Sequence, residues 1–332
     1  MAVTRNDVAK KAGVSPAVVS YVLSPGQRPV SEKARARVLA AVKELGYRPD
    51  GLARSLKVGR TKTLGLVLPD ASNPFFAELA RAIEDAAYMR GYAVMVCNSA
   101  DDLEREHAYI RSLAERRIDG LILISATMEQ DLSDFTTLAI PIVALDRSPD
   151  DSPVSTIRSD NEEGAYVGTR HLLEHGHRDI AFIGGPESLV ADERRHGWQR
   201  ALREFERRPG TESRAAFSFE GGRAASSTLL ALPRPDGVLV SSDIQAIGLI
   251  SGLDRAGLSV PRDMALVSID GTTAGEYSVP GLTSIAQPVA QMGAIAVAHL
   301  IDDPREIIHL ALGNRLIVRG SCGCTSVVTR HE

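Results

Sequence analysis

The spacing of apolar residues divides the chain into two regions of different rhythm. The first sixty residues read as short helices. Thr4 and Asp7, three apart, make a capping box that answers exposed N–H groups at a helix start, and Val8 and Ala9 begin its apolar face. Gly13 ends that helix in a tight turn. Ser15 suits the capping position and Pro16 the first helical one, so a second helix is expected over Pro16–Leu23 with Val19 and Val22 in its core. Ser31 caps a third, in which Val38, Leu39, Val42 and Leu45 share one buried face and Gly46 lies past the end. Two helices joined by three or four residues that include a glycine make a helix-turn-helix.

From Thr63 the rhythm changes. Strands are expected over 64–68, 92–97, 121–125, 140–145 and 155–159, with amphipathic helices over 74–90 and 103–117. A second series follows: helices over 162–175, 193–206, 222–230 and 244–256, alternating with strands over 180–184, 215–219, 237–241 and 265–269. Such alternation predicts parallel α/β sheet twice over, and two such lobes hold a ligand between them, outside the carboxyl ends of their strands. The expected fold class is therefore a small all-α helix-turn-helix head followed by an α/β two-lobed core with parallel sheets.

Charge sharpens this division. Residues 1–60 hold 12 Lys and Arg against 4 Asp and Glu, a net of +8; the other 272 residues carry a net of −12. A basic module on an acidic body is the electrostatic footprint of a DNA-binding head. At 332 residues and 44% hydrophobic the chain can form two or three domains with real cores. No apolar run reaches the length of a membrane span, and the chain opens directly on a capped helix rather than a signal peptide, so a cytoplasmic address and no membrane partner are expected. Three cysteines do not make a disulfide framework. Cys322-Gly-Cys324 is a single CxC without further ligands beside it, and is read as reduced thiols. There is no GxxxxGK[ST] phosphate loop, no GxGxxG after a strand and no GxSxG elbow, so no enzyme and no cofactor are expected.

The ordered string Val3-Thr4…Asp7-Val8-Ala9…Ala12-Gly13-Val14-Ser15…Val19-Ser20, then Val30-Ser31 and Leu45-Gly46-Tyr47-Arg48-Pro49, resembles the heads of the lactose-repressor-type (LacI/GalR) transcription factors. The resemblance implies a helix-turn-helix domain over 1–48, a hinge helix and linker over 49–61, and a periplasmic-binding-protein-like core over 62–332. In that core, lobe 1 covers about 62–160 and 289–320 and lobe 2 about 161–288. The chain would cross between lobes three times, a helix over 291–301 and a strand over 316–319 returning to the first. It also implies a homodimer on a palindromic operator, since no leucine heptads for a tetramer follow Arg319.

In the head the resemblance places the reading positions on Pro16, Ala17 and Tyr21. The first two can offer only apolar contact, for instance to a thymine methyl; Tyr21 is the polar reader, with packing on the backbone as the alternative. Thr4, Ser15, Ser20, Ser31 and Tyr47 have hydroxyls suited to phosphates. The family's hinge helix orders on DNA and wedges a leucine into the minor groove; Ala53 and Leu56 occupy its positions. The family usually has Pro-Asn before this helix; here Pro49 is followed by Asp50 and Gly51, which implies a hinge more dependent on DNA.

In the cleft the implied effector-binding residues are Phe75, Phe76, Asp146, Arg147, Arg194, Phe219, Ser242, Asp270 and Gln287. The set is similar to that of ribose-type binding proteins, in which aromatics stack on sugar CH faces, carboxylates accept from hydroxyls and arginine bridges adjacent oxygens. Ser242 stands where an asparagine is usual, which points away from ribose itself and towards a related pentose or hexose. Asp160, Asn161 and Asp243 are read as fold residues that cap the helices after them. His171-x3-His175-x-His177 has metal-ligand spacing, but His175-Gly176-His177-Arg178 matches the family's turn into the next strand, away from the cleft, so no metal is expected. The implied function is a repressor controlled by a small effector, a monosaccharide. The alternatives are an activator, a corepressor-dependent regulator, or a solute-binding protein, which would need a signal peptide.

Overall fold

The computed structural model describes residues 3–23, 29–47, 59–125, 138, 140–146, 152–230 and 234–324. The chain forms two compact units, Met1–Thr61 and Lys62–Glu332. In the first, helices α1 (Arg5–Ala12), α2 (Pro16–Leu23) and α3 (Glu32–Leu45) enclose a small core of Val8, Ala9, Ala12, Val19, Val22, Val38 and Ala41. Their ends are set by the capping chemistry. Thr4 N–H donates to Asp7 Oδ2 at 2.8 Å and Asp7 N–H to Thr4 Oγ1 at 3.4 Å, closing the capping box. Gly13 and Gly46 end α1 and α3 in the left-handed region, both at φ 61°, where glycine alone carries no Cβ penalty. Leu39 departs from expectation: it is 48% exposed, because one helical step beyond the buried Val38 turns it about 100° away, and Ala41 fills the inner face instead.

The second unit is built on two six-stranded sheets. The first lobe holds β1 (Thr63–Leu68), α4 (Pro74–Met89), β2 (Ala93–Asn98), α5 (Leu103–Glu115), β3 (Gly120–Leu123), β4 (Ile142–Leu145) and β5 (Ser155–Ser159). The second holds α6 (Asn161–Glu174), β6 (Ile180–Gly184), α7 (Leu189–Glu204), β7 (Glu212–Arg214), α8 (Phe219–Leu230), β8 (Gly237–Val240), α9 (Asp243–Arg255), β9 (Ala265–Asp270), α10 (Thr273–Glu276) and β10 (Thr283–Ala286). Then α11 (Val289–Asp302) packs back on α4, and β11 (His309–Leu312) and β12 (Arg315–Ile317) follow. Strand order is β11-β5-β4-β3-β1-β2 in one sheet and β12-β10-β9-β8-β6-β7 in the other. All pairs are parallel except β10 with β12. The near-continuous burial of β1, β3, β4, β6, β8 and β9 is that of strands covered by helices on both faces.

The third crossover corrects the expected lobe boundaries. The strand that returns to the first sheet is β11, parallel to β5, and the sequence reading does not contain it. The residues expected to return, around Leu316, form β12 against β10 in the second sheet. The following segment stays with that sheet. Leu266 N–H donates to Ser321 O, and Ser321 Oγ–H donates to Leu266 O. Two short apolar runs separated only by Gly313 and Asn314 carry no periodicity that tells which sheet each joins.

Two features of the packing position the cleft. Trp198 on α7 is fully buried, stacks on Phe182 with ring centroids 5.4 Å apart, and donates from Nε1 to Ile180 O at 3.1 Å. It anchors the helix that carries Arg194 one turn earlier, on the same face. Gly222 lets α8 close on α9, since a Cβ there would lie 1.9 Å from Gln245 O. Replacing Trp198 by Ala is expected to destabilise the core by about 3–5 kcal/mol through a cavity and an unanswered carbonyl. Guanidinium unfolding followed by far-UV circular dichroism should show a lower midpoint; an unchanged midpoint would mean that α7 is held by other contacts.

Candidate functional site

The candidate DNA face of the head is formed by the start of α2 and its flanks. Pro16 and Ala17 open α2 and are exposed, whereas Val19 and Val22 on its other face are buried. Val18 N–H donates to Ser15 Oγ at 3.4 Å, so Ser15 caps the helix that it precedes. Ser20 Oγ accepts from Arg5 Nη1 at 3.1 Å and donates to Pro16 O at 3.2 Å, tying α1 to α2. Thr4 and Ser31 are exposed at the starts of α1 and α3, and Tyr21 and Tyr47 are half-buried. The hinge positions Ala53 and Leu56 lie outside the described residues.

In the second unit, Asn73, Phe75, Phe76, Asp146, Val190, Arg194, Phe217, Ser242, Asp270 and Gln287 surround one cleft between the lobes. The space that they enclose is narrow and opens to solvent. The first wall comes from the turn into α4. Asn73 Oδ1 accepts from Phe75 N–H at 3.0 Å and Pro74 opens the helix, so the two following phenyl rings, both buried, meet edge to face with centroids 5.3 Å apart.

The polar wall comes from strand ends. Arg194 is 3% exposed; its Nε donates to Asn161 Oδ1 at 2.9 Å and its Nη1 to Ser241 O. Asp270, at the end of β9, accepts from Asp243 N–H at 3.1 Å and from Gln287 Nε2 at 2.9 Å. Gln287 Oε1 in turn accepts from Ser159 Oγ at 2.7 Å, so one amide joins the end of β5 to the end of β9. Burial, then the nearby Asp243 charge, pushes the Asp270 carboxyl well above the ordinary carboxylate value, against the pull of Arg194 and the hydrogen bonds. Asp146 and Asp270 both have positive φ, 65° and 128°, a backbone state that costs a non-glycine residue of order 1–3 kcal/mol and collects at functional sites.

Several expected site residues are placed differently from the reading. Phe219 is not in the cleft: it opens α8 and is 43% exposed. The strand before it ends at Arg214 rather than running to 219, and Phe217 supplies the aromatic. A Cβ on Gly185 would lie 2.1 Å from Phe217 Cζ, so the glycine after β6 makes room for that ring; the Gly184-Gly185 pair is the signal that could have found it. Asn73 and Val190 line the cleft and were not among the expected residues. Arg147 lies outside the described residues. Ser242 lines the cleft, but its hydroxyl caps α9 and donates to Gln245 Oε1 at 3.0 Å. Asp243 faces inward, accepting from Ser268, Ser284 and Thr272, and Asp160 caps α6.

Known proteins resemble the chain along its whole length. Residues 4–50 match the bacterial regulatory proteins of the lacI family, and residues 169–322 match the periplasmic binding protein-like domain. A ribose operon repressor from Halalkalibacterium halodurans is 37% identical over 95% of this chain and 96% of its own. The transcriptional repressor PurR of Edwardsiella ictaluri is 38% identical over 90% and 89%. Among solved structures, a lac repressor dimer bound to operator and an anti-inducer superposes with a TM-score of 0.86 at 28% identity, covering 97% of this chain and 99% of the other. A LacI family regulator from Enterococcus faecium with bound ribose has a TM-score of 0.71 at 30% identity, covering 78% and 98%. With full-length relatives above a third identical and both domains matched in order, the chain belongs to the lacI family of bacterial regulatory proteins.

Proposed function

We propose that this repressor binds a palindromic operator as a cytoplasmic homodimer and that a neutral monosaccharide, held between the two core lobes, sets its operator affinity. That the protein is a DNA-binding transcriptional repressor, and not an enzyme, follows from its family. The observation that carries the effector assignment is the composition of the cleft: two carboxylates, one buried guanidinium, two amides and three phenyl rings around one space between the lobes. Carboxylates accept from hydroxyls, the guanidinium donates to adjacent oxygens, and the rings cover the apolar face of a sugar. Ribose in the Enterococcus faecium regulator and ribose in the name of the Halalkalibacterium halodurans relative support the same class.

The head offers the means of operator binding. The exposed start of α2, with Pro16 and Ala17, presents apolar contacts to base edges and the half-buried Tyr21 further along it one hydroxyl, while Thr4, Ser15, Ser20, Ser31 and Tyr47 serve phosphates. Effector and operator are coupled because a ligand that prefers one arrangement of the lobes shifts the population towards it. A ligand favouring the DNA-free state induces; one favouring the other acts as corepressor.

Three outcomes test this reading. Thermal unfolding against pentoses, hexoses, sugar phosphates and purines should single out one neutral sugar. At one hundred times its dissociation constant that ligand stabilises by about 2.7 kcal/mol, and Arg194→Ala should lose the shift while still binding operator. A shift with only a phosphate or a purine would sink the sugar assignment. A hydroxyl donated to Asp270 favours its ionised form, so binding should release a proton, and affinity should rise with pH from the ordinary carboxylate range through the raised value of the free protein. Calorimetry in buffers of different ionisation enthalpy reads the proton directly; no uptake or release would remove Asp270 from the contact. Leu56→Ala should weaken specific operator binding far more than non-specific binding, and equal losses would argue against a minor-groove wedge.

A further inference from the structure

Two short motifs 153 residues apart, neither of them a ligand set alone, meet in the second lobe. His171 lies in the last turn of α6 and His175 is its C-terminal cap; Cys322 and Cys324 belong to the segment that follows β12. Cys324 Sγ lies 3.3 Å from His171 Nε2. The two imidazoles are tilted over each other with centroids 4.3 Å apart. One ring nitrogen of each histidine and Cys324 Sγ all fall within 4.8 Å of one another. We propose that His171, His175 and Cys324, joined by Cys322, form a binding site for a divalent transition-metal ion of the zinc type.

The donors suit that ion. Two imidazoles and two thiolates form a set common for structural zinc, and the two thiolates balance its charge. The pre-organisation is also of the right kind. His175 Nδ1 donates to His171 O at 2.7 Å, which fixes the tautomer and leaves Nε2 with its lone pair. Arg319 N–H donates to Thr283 Oγ1 at 2.9 Å, and that hydroxyl donates to Cys322 Sγ at 3.1 Å. In a tetrahedral zinc centre neighbouring donors are roughly 3.3–3.8 Å apart, which follows from metal–ligand bonds of about 2.0–2.3 Å. The His171–Cys324 pair already has that separation. Among these three clustered atoms the remaining closure, about an ångström, falls to side chains with freedom to move, since His175 is exposed and Cys324 half-buried.

The site is separate from the effector cleft. It lies where α6 ends and the chain turns towards the start of β6, whereas the cleft gathers the carboxyl ends of β4, β8 and β9. Its occupant would fasten the segment from Ser321 to Cys324 onto α6 without touching Arg194 or Asp270. His177, the third histidine of the sequence motif, is not among the clustered ligand atoms.

Cobalt reads the site directly, because thiolate coordination gives a charge-transfer band and tetrahedral geometry gives intense d–d bands. The full-length protein, reduced with a phosphine and stripped of metal, should take up one equivalent of Co(II) with both signatures and lose them when Zn(II) is added. Cys324→Ser should abolish the thiolate band or weaken affinity by an order of magnitude or more, and His175→Ala should weaken affinity similarly. Both residues are at least partly exposed, so far-UV circular dichroism should remain that of the parent. Absence of a thiolate band at saturating cobalt, or a band of undiminished affinity in both variants, would overturn the proposal.

Discussion

The core is constrained above all by the burial of charge where its two sheets face each other. Arg194 and Asp270 are 3% and 6% exposed, and an ion withdrawn from water must find partners at close range. The chain meets that demand with groups from both lobes. Asn161 and the Ser241 carbonyl hold the guanidinium, Gln287 and the Asp243 amide hold the carboxylate, and Ser159 holds Gln287. Each partner stands at a strand end or in the first turn of a helix, where side chains converge on the carboxyl edge of a parallel sheet. The apolar packing beneath, Trp198 on Phe182 and α8 against α9, keeps those ends in register.

Direct hydrogen bonds also run between the lobes. Ser159 on Gln287, Arg158 on Glu193 at 2.8 Å and Thr273 N–H on Glu78 at 2.8 Å all join residues of different lobes. A ligand between the lobes competes with or adds to these contacts, so its binding energy is exchanged directly against the geometry of closure. This is the physical content of effector control: differential affinity for two arrangements, with no need for a distant signal path.

Local chemistry was legible in the sequence and long-range placement was not. The capping box at Thr4 and Asp7, the glycines at 13 and 46, and strands Ser155–Ser159 and Ile180–Gly184 lie where residue type and spacing put them, because each depends on neighbours a few positions away. Phe219 was misplaced because two phenylalanines two residues apart fit either a long strand or a short strand followed by a helix, and only the packing of Phe217 on Gly185 decides. The residues around Leu316 were assigned to the wrong lobe for a similar reason: a three-residue strand has no periodicity to read. The CxC was set aside for want of further ligands and the helical histidines because they match the family's turn into the next strand, yet the two motifs, 153 residues apart, meet in the fold.

Ser242 shows how a departure from the family pattern gains meaning from structure. In sequence it removes an amide that could both donate and accept towards a ligand. In the fold its hydroxyl turns inward to Gln245, whose own amide donates to the carbonyls of Gly184, Ala215 and Ala216. The position therefore supports the cleft that it also lines. Among the described lining residues that leaves Asp146 and Asp270 against Arg194 as the charged readers. A phosphate would meet the carboxyls of Asp146 and Asp270 beside Arg194, whose Nε and Nη1 already donate to Asn161 and Ser241. A neutral polyol meets acceptors that it can satisfy and a donor that it can share. Electrostatics thus favours an uncharged sugar on the cleft's own residues, independently of any relative.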